Sequence, residues 1–172
     1  MVKAMTEARE AAATSPVQGL RDWFDGATFH KLLELGYFPS TTCVPLSIST
    51  DGFPAWKQRG FEGSPIIATV LMVHPSSRVQ VVSQLIPGIT PGPGQAANLN
   101  SFLHPVAEEL KLLAAGVSGT TVAGFSKPQV LRALVVHFTG DMPACDKLLN
   151  AIGGTGEYPG RFRLFAGVRL KH

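Results

Sequence analysis

Two aspartates follow short apolar segments and could hold a divalent cation between them. Asp51 ends the segment LSISTD, and Asp141 ends the segment VVHFTGD. Carboxylate oxygens are the hard ligands that Mg²⁺ prefers. Two ions held about 3.5–4 Å apart can activate a nucleophile and stabilise a leaving oxygen in phosphodiester chemistry. The pair therefore indicates metal-dependent chemistry on a phosphodiester, provided that the fold brings Asp51 and Asp141 together.

A two-ion site usually needs a third acid to complete both coordination spheres. On a helical wheel, Glu109 lies at the flank of an apolar stripe, while Glu108 faces water. Asp146 follows Asp141 by about one helical turn, so it can reach the same edge. Glu157 is a further acid downstream. We therefore expect Glu109 or Asp146 as an additional ligand.

Simpler explanations of the two aspartates stay open. Asp51-Gly52 is a common turn pair. Asp141 can cap a helix that has Pro143 in its first turn, where a proline costs little. The five histidines show no spacing typical of metal ligands.

The bulk composition predicts one folded domain. The chain has 172 residues, of which 45% are hydrophobic and 16% charged, which is enough to form a core. Residues 1–18 are expected to be a flexible segment, and residues 19–172 a single partial core. The net charge of +3 is compatible with nucleic acid, although no run of Lys or Arg marks a binding stripe. The longest apolar run, residues 66–73, is too short to span a bilayer, so no membrane association is expected.

The two cysteines indicate an intracellular, reducing compartment. Cys43 and Cys145 form no Cys-x-x-Cys motif, so the sequence predicts neither a disulfide framework nor a complete zinc site. Cys43 precedes the first expected strand and Cys145 follows the fourth, so on parallel neighbours the two lie at opposite ends of a strand. We expect two thiols and no disulfide, because a disulfide needs Cα atoms no more than about 7 Å apart.

Apolar periodicity predicts four strands and three helices. The strands are residues 44–49, 66–73, 79–86 and 130–138, with a tight turn at 74–77 and a stiff loop at 87–95. The helices are residues 28–35, 99–117 and 142–152. Residues 161–165 alternate Arg with apolar residues, which is typical of a fifth strand at a sheet edge.

This order predicts an α/β fold with an RNase H-like mixed sheet of strand order 3-2-1-4 and flanking helices. The first three strands form a meander, and a crossover helix lays the fourth strand parallel to the first. Neighbouring parallel strands end at the same edge of a sheet, where sites of open α/β folds collect. Asp51 and Asp141 are therefore expected at one edge.

Four motifs in order resemble the catalytic core of CACTA-type (En/Spm-like) DNA transposases. They are FDGATFHKLLELGYF, LSISTDGFPAW, LIPGITPGPGQAANLNSFLHPVAEELKLL and ALVVHFTGDMPACDKLL, and they cover roughly residues 24–163. The resemblance implies an RNase H-like DDE core that cuts and joins DNA with Mg²⁺ or Mn²⁺. It assigns the first two catalytic, metal-binding acids to Asp51 and Asp141, and it implies a nuclear protein.

The sequence also departs from that family. Gly160 and Arg163 stand where the family carries a Cys-x-x-Cys, and nothing matches its third catalytic acid. The resemblance therefore implies a truncated or degenerate transposase core, inactive alone. The alternative is a non-catalytic module that keeps the fold and binds DNA or a protein. The basic residues of the tail suit phosphates, or simply form a solvated face: Arg161, Arg163, Arg169 and Lys171.

Overall fold

The computed structural model describes residues 22–50, 53–54, 62–91, 99–140 and 145–146. The helices are α1 (Ala27–Glu34), α2 (Pro75–Arg78) and α3 (Leu99–Ala115), and short 3₁₀ turns occur at Trp23–Asp25 and Val81–Ser83. The strands are β1 (Cys43–Thr50), β2 (Phe53–Pro54), β3 (Glu62–Val70), β4 (Gln84–Thr90), β5 (Val117–Thr120) and β6 (Gln129–Thr139). The protein is thus α/β, with a mixed, curled sheet and flanking helices, as the sequence predicts at this coarse level.

The centre of the sheet is β1, which pairs antiparallel with β3 and parallel with β6. The complete order is β2-β3-β1-β6-β5, and β4 also pairs with β3. The predicted parallel adjacency of the first strand and the strand at residues 130–138 is confirmed. The complete order differs from 3-2-1-4, because β2 and β5 were not predicted. The predicted edge strand at residues 161–165 lies outside the described residues, as do the helix at 142–152, apart from residues 145–146, and the flexible segment at 1–18.

The segment between β3 and α3 was predicted incorrectly. Instead of a tight turn, Pro75 opens the short helix α2, whose preceding residue His74 accepts a hydrogen bond at Nδ1 from the Ser76 N–H (3.3 Å). Proline favours the first position of a helix because its φ is already helical and no N–H is needed there. The strand then begins at Gln84 rather than at residue 79, and β4 extends into the predicted loop.

The end of α3 also differs from the prediction. Gly116 adopts a left-handed backbone with φ of 106°, which ends the helix two residues earlier than predicted. Its N–H still donates to the Leu112 carbonyl (3.0 Å). Val117 then starts β5, which pairs antiparallel with β6 and contains Gly119 at an irregularity of the register between Val117 and Thr120.

Each face of the sheet has its own core. On one face, α1 packs in a cluster around Cys43, whose side chain is fully buried. Four aromatic rings of that cluster pack mostly edge to face, with centroids 4.9–6.0 Å apart: Trp23, Phe24, Phe29 and Phe38. On the other face, α3 covers Ile48, Ile66 and Ala68.

Arg78 joins the start of the described chain to the loop after β3. Its Nη1 and Nη2 donate to both carboxylate oxygens of Asp22 (2.7 and 2.9 Å). Its Nε donates to the Val73 carbonyl (3.1 Å), and Nη2 also donates to the Leu71 carbonyl. Asp22 in turn accepts from the Trp23 N–H (2.7 Å), which caps the first 3₁₀ turn. The aromatic cluster is therefore fixed to the sheet by a forked, largely desolvated ion pair.

Neither cysteine forms a disulfide, as predicted. The Cys43 Sγ donates to the Tyr37 carbonyl (3.2 Å), and its side chain is a small apolar part of the core.

The Arg78 contacts predict a large effect of a conservative substitution. We expect Arg78→Lys to lower the free energy of unfolding by about 2–3 kcal/mol, because lysine cannot donate in a planar fork and leaves partly buried acceptors unpaired. Urea denaturation followed by circular dichroism measures this. The matched control is Lys31→Ala, which breaks an exposed pair with Glu34 and should change stability by less than about 0.5 kcal/mol. Equal effects of the two substitutions would contradict the prediction.

Gly116, between α3 and β5, and Gly119, within β5, allow the effect of backbone strain to be distinguished from the effect of a steric clash. A Cβ at Gly116 would lie 3.0 Å from Val130 Cγ1 and 3.1 Å from Arg132 Nε, whereas a Cβ at Gly119 meets nothing within 4 Å. Both have positive φ, so both alanine variants carry strain of about 1 kcal/mol. We expect Gly116→Ala to be clearly more destabilising than Gly119→Ala in thermal denaturation; the reverse order would show that the turn is arranged differently.

Candidate functional site

The candidate site lies where the parallel strands β1 and β6 end together. Their register runs from Cys43 opposite Arg132 to Ser49 opposite Thr139. Asp51 follows Ser49 by two residues, and Asp141 follows Thr139 by two residues. Asp51 and Asp141 themselves lie outside the described residues, so the structure fixes the strand ends that precede them and not the carboxylates.

A bulge in β6 sets this equal spacing. Leu46 lies opposite Val135 and Ser47 opposite His137, so β6 contains one extra residue at Val136. Without it, the register would place Phe138 opposite Ser49, and the two aspartates would be out of step by one residue. Bulges bend a strand and re-aim its side chains, and they are common beside functional sites.

The strand ends carry small polar side chains. Ser47 and Thr50 of β1 are buried, at 5% exposure each, whereas Thr139 and Gly140 at the end of β6 are exposed. Hydroxyl and carbonyl oxygens at a strand end are suited to water and to cations rather than to apolar ligands.

The chain returns to this edge after β6. The Cys145 Sγ donates to the Gly140 carbonyl (3.5 Å), so the helical residues 145–146 lie against the end of the strand. Asp146 is buried, at 8% exposure. Among the additional acids that lie within the described residues, Asp146 is thus the one that follows directly on a contact with the end of β6.

Glu109 lies elsewhere, on the wall of an apolar groove. The groove, with a volume of about 580 Å³, runs between α3 and β4 and has β1 and β3 as its floor. Among the described residues that line it, Glu109 is the one ionisable residue. Glu108 points to solvent and accepts a hydrogen bond from Lys111 Nζ (2.7 Å), as the helical wheel predicts for that residue.

The described residues contain no group of three or more His, Cys, Asp or Glu that could hold a metal ion. Glu157 lies outside them. A metal centre at the end of β1 and β6 therefore depends on Asp51 and Asp141 themselves.

His137 is a titratable group near the site that the sequence did not single out. It lies opposite Ser47 on β1 and is half-buried. The pKa of His137 is lowered from the ordinary histidine value, first because burial disfavours the imidazolium and second because the Arg78 guanidinium repels it. Strict strand alternation would place His137 opposite Ile48 on the α3 face, and the bulge places it opposite Ser47 instead. The bulge and the contribution of Arg78 both depend on tertiary contacts, so the sequence alone does not indicate them.

The apolar groove was also missed. Its signal in the sequence is the absence of any Asp, Glu, Lys or Arg from residues 79–107, which include β4 and the first half of α3. Such a stretch is easily taken for core. In the structure its apolar side chains are largely exposed: Val79, Val81, Val82, Leu85, Ile86, Ile89 and Phe102.

Comparison with known proteins gives no relative: no family model, curated protein or solved structure matches this chain. In the part of the chain described above, no helix has the length and apolar character needed to cross a membrane.

The lowered pKa of His137 predicts a pH-dependent stability. Between its folded pKa and the ordinary value of 6.5, the unfolded chain binds more protons than the folded one, so stability falls as pH decreases through this window. We expect the free energy of unfolding, measured in urea between pH 7.5 and 5.5, to decrease less in His137→Gln than in the wild type. The control is His104→Gln, because His104 is exposed on α3. A steeper decrease in His137→Gln than in the wild type would contradict the assignment.

Proposed function

We propose that this chain is part of a metal-dependent core of the DNA transposase type, with an RNase H-like arrangement, in which Asp51 and Asp141 hold Mg²⁺ or Mn²⁺. The observation that carries the proposal is the parallel register of β1 and β6. Each aspartate follows a residue of the last registered pair, Ser49 and Thr139, by the same two residues. Adjacent strands are about 4.8 Å apart, which supports a shared ion at this edge.

The succession of elements supports the same proposal. Strands β1, β3 and β4 follow one another as antiparallel neighbours, and the chain then passes through α3 before β6 lies parallel to β1. This is the connectivity expected of a strand meander followed by a crossover. The described sheet adds β5 between α3 and β6, so the crossover returns through a short hairpin.

The residues suit hard cations. Two carboxylates with nearby hydroxyl groups form an oxygen donor set, which favours Mg²⁺ and Mn²⁺ over softer metals. When bound, such ions supply Lewis acidity for phosphodiester cleavage and joining. The roles of Asp51 and Asp141 are to bind and position the ions, and Asp146, which follows the Cys145 contact with Gly140, is proposed as a supporting acid.

The chain alone is proposed to be inactive as a nuclease. The resemblance carries over two acids and no third, and each missing carboxylate removes both a ligand and a neutralising charge. A DNA substrate and a nuclear location are parts of this proposal and depend on it. The basic residues of the tail lie outside the described residues.

A second candidate is a non-catalytic module that binds a protein. The specific observation that favours it is the open apolar groove beside α3, which has no role in metal chemistry. The two functions are compatible, because the groove and the strand ends occupy different parts of the sheet.

Cation binding tests the first candidate. We expect millimolar Mn²⁺ to raise the melting temperature by about 2–4 °C, which corresponds to about 1 kcal/mol of linked stabilisation for a domain of this size. Asp51→Asn or Asp141→Asn should abolish the shift, while Glu108→Gln, on the exposed face of α3, should retain it. Differential scanning fluorimetry with and without chelator measures all four proteins.

The same variants test activity. Purified wild-type protein is expected not to nick supercoiled DNA in Mn²⁺. An unchanged thermal shift in both aspartate variants would overturn the metal site, and Mn²⁺-dependent nicking that is lost in Asp141→Asn would overturn the claim of inactivity.

A further inference from the structure

The groove beside α3 is an apolar surface that the described residues do not fully cover. Its floor is formed by Ile48, Ile66 and Ala68, which are almost completely buried beneath α3. Its walls are not closed: no residue of the 17-residue helix α3 is fully buried. A helix that packs on a sheet normally buries a full apolar stripe.

The walls of the groove expose large apolar side chains. Leu85 and Ile89 of β4 are 56% and 57% exposed, and Phe102 of α3 is 39% exposed. A contiguous exposed apolar surface of this kind marks an interaction site, whereas scattered single residues do not. Among the described lining residues, only Ser101 and Glu109 have polar side chains, so the groove is suited to contact with an apolar surface, as in the core of a protein interface.

The charge pattern specifies the chemistry of the occupant. Glu109 on the groove wall makes no ion pair or hydrogen bond within the described residues, while its neighbour Glu108 is paired with Lys111. No other charged residue of the described ranges lines the groove. The complementary surface is therefore apolar with a basic group at its border, and polyanions such as nucleic acid are disfavoured.

The shape of β4 favours a helix over an added strand. Strand addition needs a regular row of free N–H and C=O groups. Pro87 has no N–H, and the register of β4 with β3 shifts between Ile66 and Ala68, opposite this part of the strand. Prolines and bulges at an edge strand are devices that prevent edge pairing.

We propose that the groove between α3 and β4 binds the apolar face of an amphipathic helix from a partner protein, with a Lys or Arg beside that face pairing with Glu109. The occupant lies against Leu85, Ile89 and Phe102 and completes the cover of the α3 face. This proposal does not rest on the metal site, and it gives the protein-binding candidate a defined surface and partner chemistry.

The first test uses a charge series of synthetic peptides. Three fluorescein-labelled 18-residue helices carry the same Leu stripe and an otherwise Gln surface, with one residue beside the stripe set to Lys, Gln or Glu. Fluorescence anisotropy with the full chain should give an affinity for the Lys peptide about fivefold higher than for the Glu peptide, the size expected for one exposed charge pair. The net charge of +3 would favour the opposite order, so the expected order reports the local site. Glu109→Gln should remove the preference.

The second test uses a matched pair of groove variants. Leu85→Asp places a charge on the groove wall, and Leu112→Asp places one on α3 outside the groove; the two leucines are similarly exposed, at 56% and 61%. We expect Leu85→Asp to lower the affinity for all three peptides about tenfold or more, whereas the Leu112→Asp variant should bind them with the wild-type affinity. Circular dichroism confirms folding, and Ile89→Asp replaces Leu85→Asp if the latter is unfolded.

Three outcomes would overturn the proposal. The first is equal binding by Leu85→Asp and Leu112→Asp. The second is a preference for the Glu peptide, or a Lys preference that Glu109→Gln leaves unchanged. The third is dimerisation of the wild type in sedimentation velocity that Leu85→Asp abolishes, because this would make a second copy of the chain the occupant.

Discussion

The parallel pairing of β1 with β6 is the constraint on which the rest of the described structure depends. Parallel neighbours cannot be joined by a tight turn, so the chain between them must cross a face of the sheet. Helix α3 makes that crossing, and its position above Ile48 and Ile66 creates both the second core and the groove. The same pairing brings the ends of β1 and β6 to one edge. One topological feature thus produces two separate candidate surfaces.

Two tertiary contacts hold this pairing in register. At its start, the Thr42 Oγ1 donates to the Val130 carbonyl (2.8 Å), and the Arg132 N–H donates to the Thr42 carbonyl (3.1 Å).

Pro45 lies within β1 although proline is disfavoured in central strands. It is accommodated because β3 pairing begins only at Leu46, and the Pro45 carbonyl accepts from the Leu71 N–H (3.0 Å) just beyond β3.

Segments with clear local patterns and the parallel pairing of β1 with β6 were predicted correctly, whereas ambiguous proline and glycine signals and side-chain contacts distant in sequence led to errors or omissions. Strands β1 and β6 and helix α1 were predicted within one residue at each end, because their β-branched or amphipathic residues are flanked by clear breakers. The α2 segment was missed because Pro75 opens a helix as readily as it forms a turn. Strand β4 was misplaced because prolines and glycines suggest a loop, although an edge strand with a register shift tolerates them. The Arg78–Asp22 pair joins residues 56 positions apart, and nothing local indicates it.

The strand ends and the groove make different physical demands on the same strand. The groove uses the α3 face of β1, through Leu46 and Ile48, and needs desolvated apolar contact. The edge needs exposed oxygen atoms and water, which the small polar residues Ser49 and Thr139 permit. Alternation along a strand sends successive side chains to opposite faces, so one segment can satisfy both demands only if its polar and apolar residues alternate. The segment LSIS, residues 46–49, has this alternation, and it gives β1 an apolar side beneath α3 and a polar side toward His137. An occupant of the groove would therefore stabilise β1 without contacting Ser47 or Ser49 on its polar side.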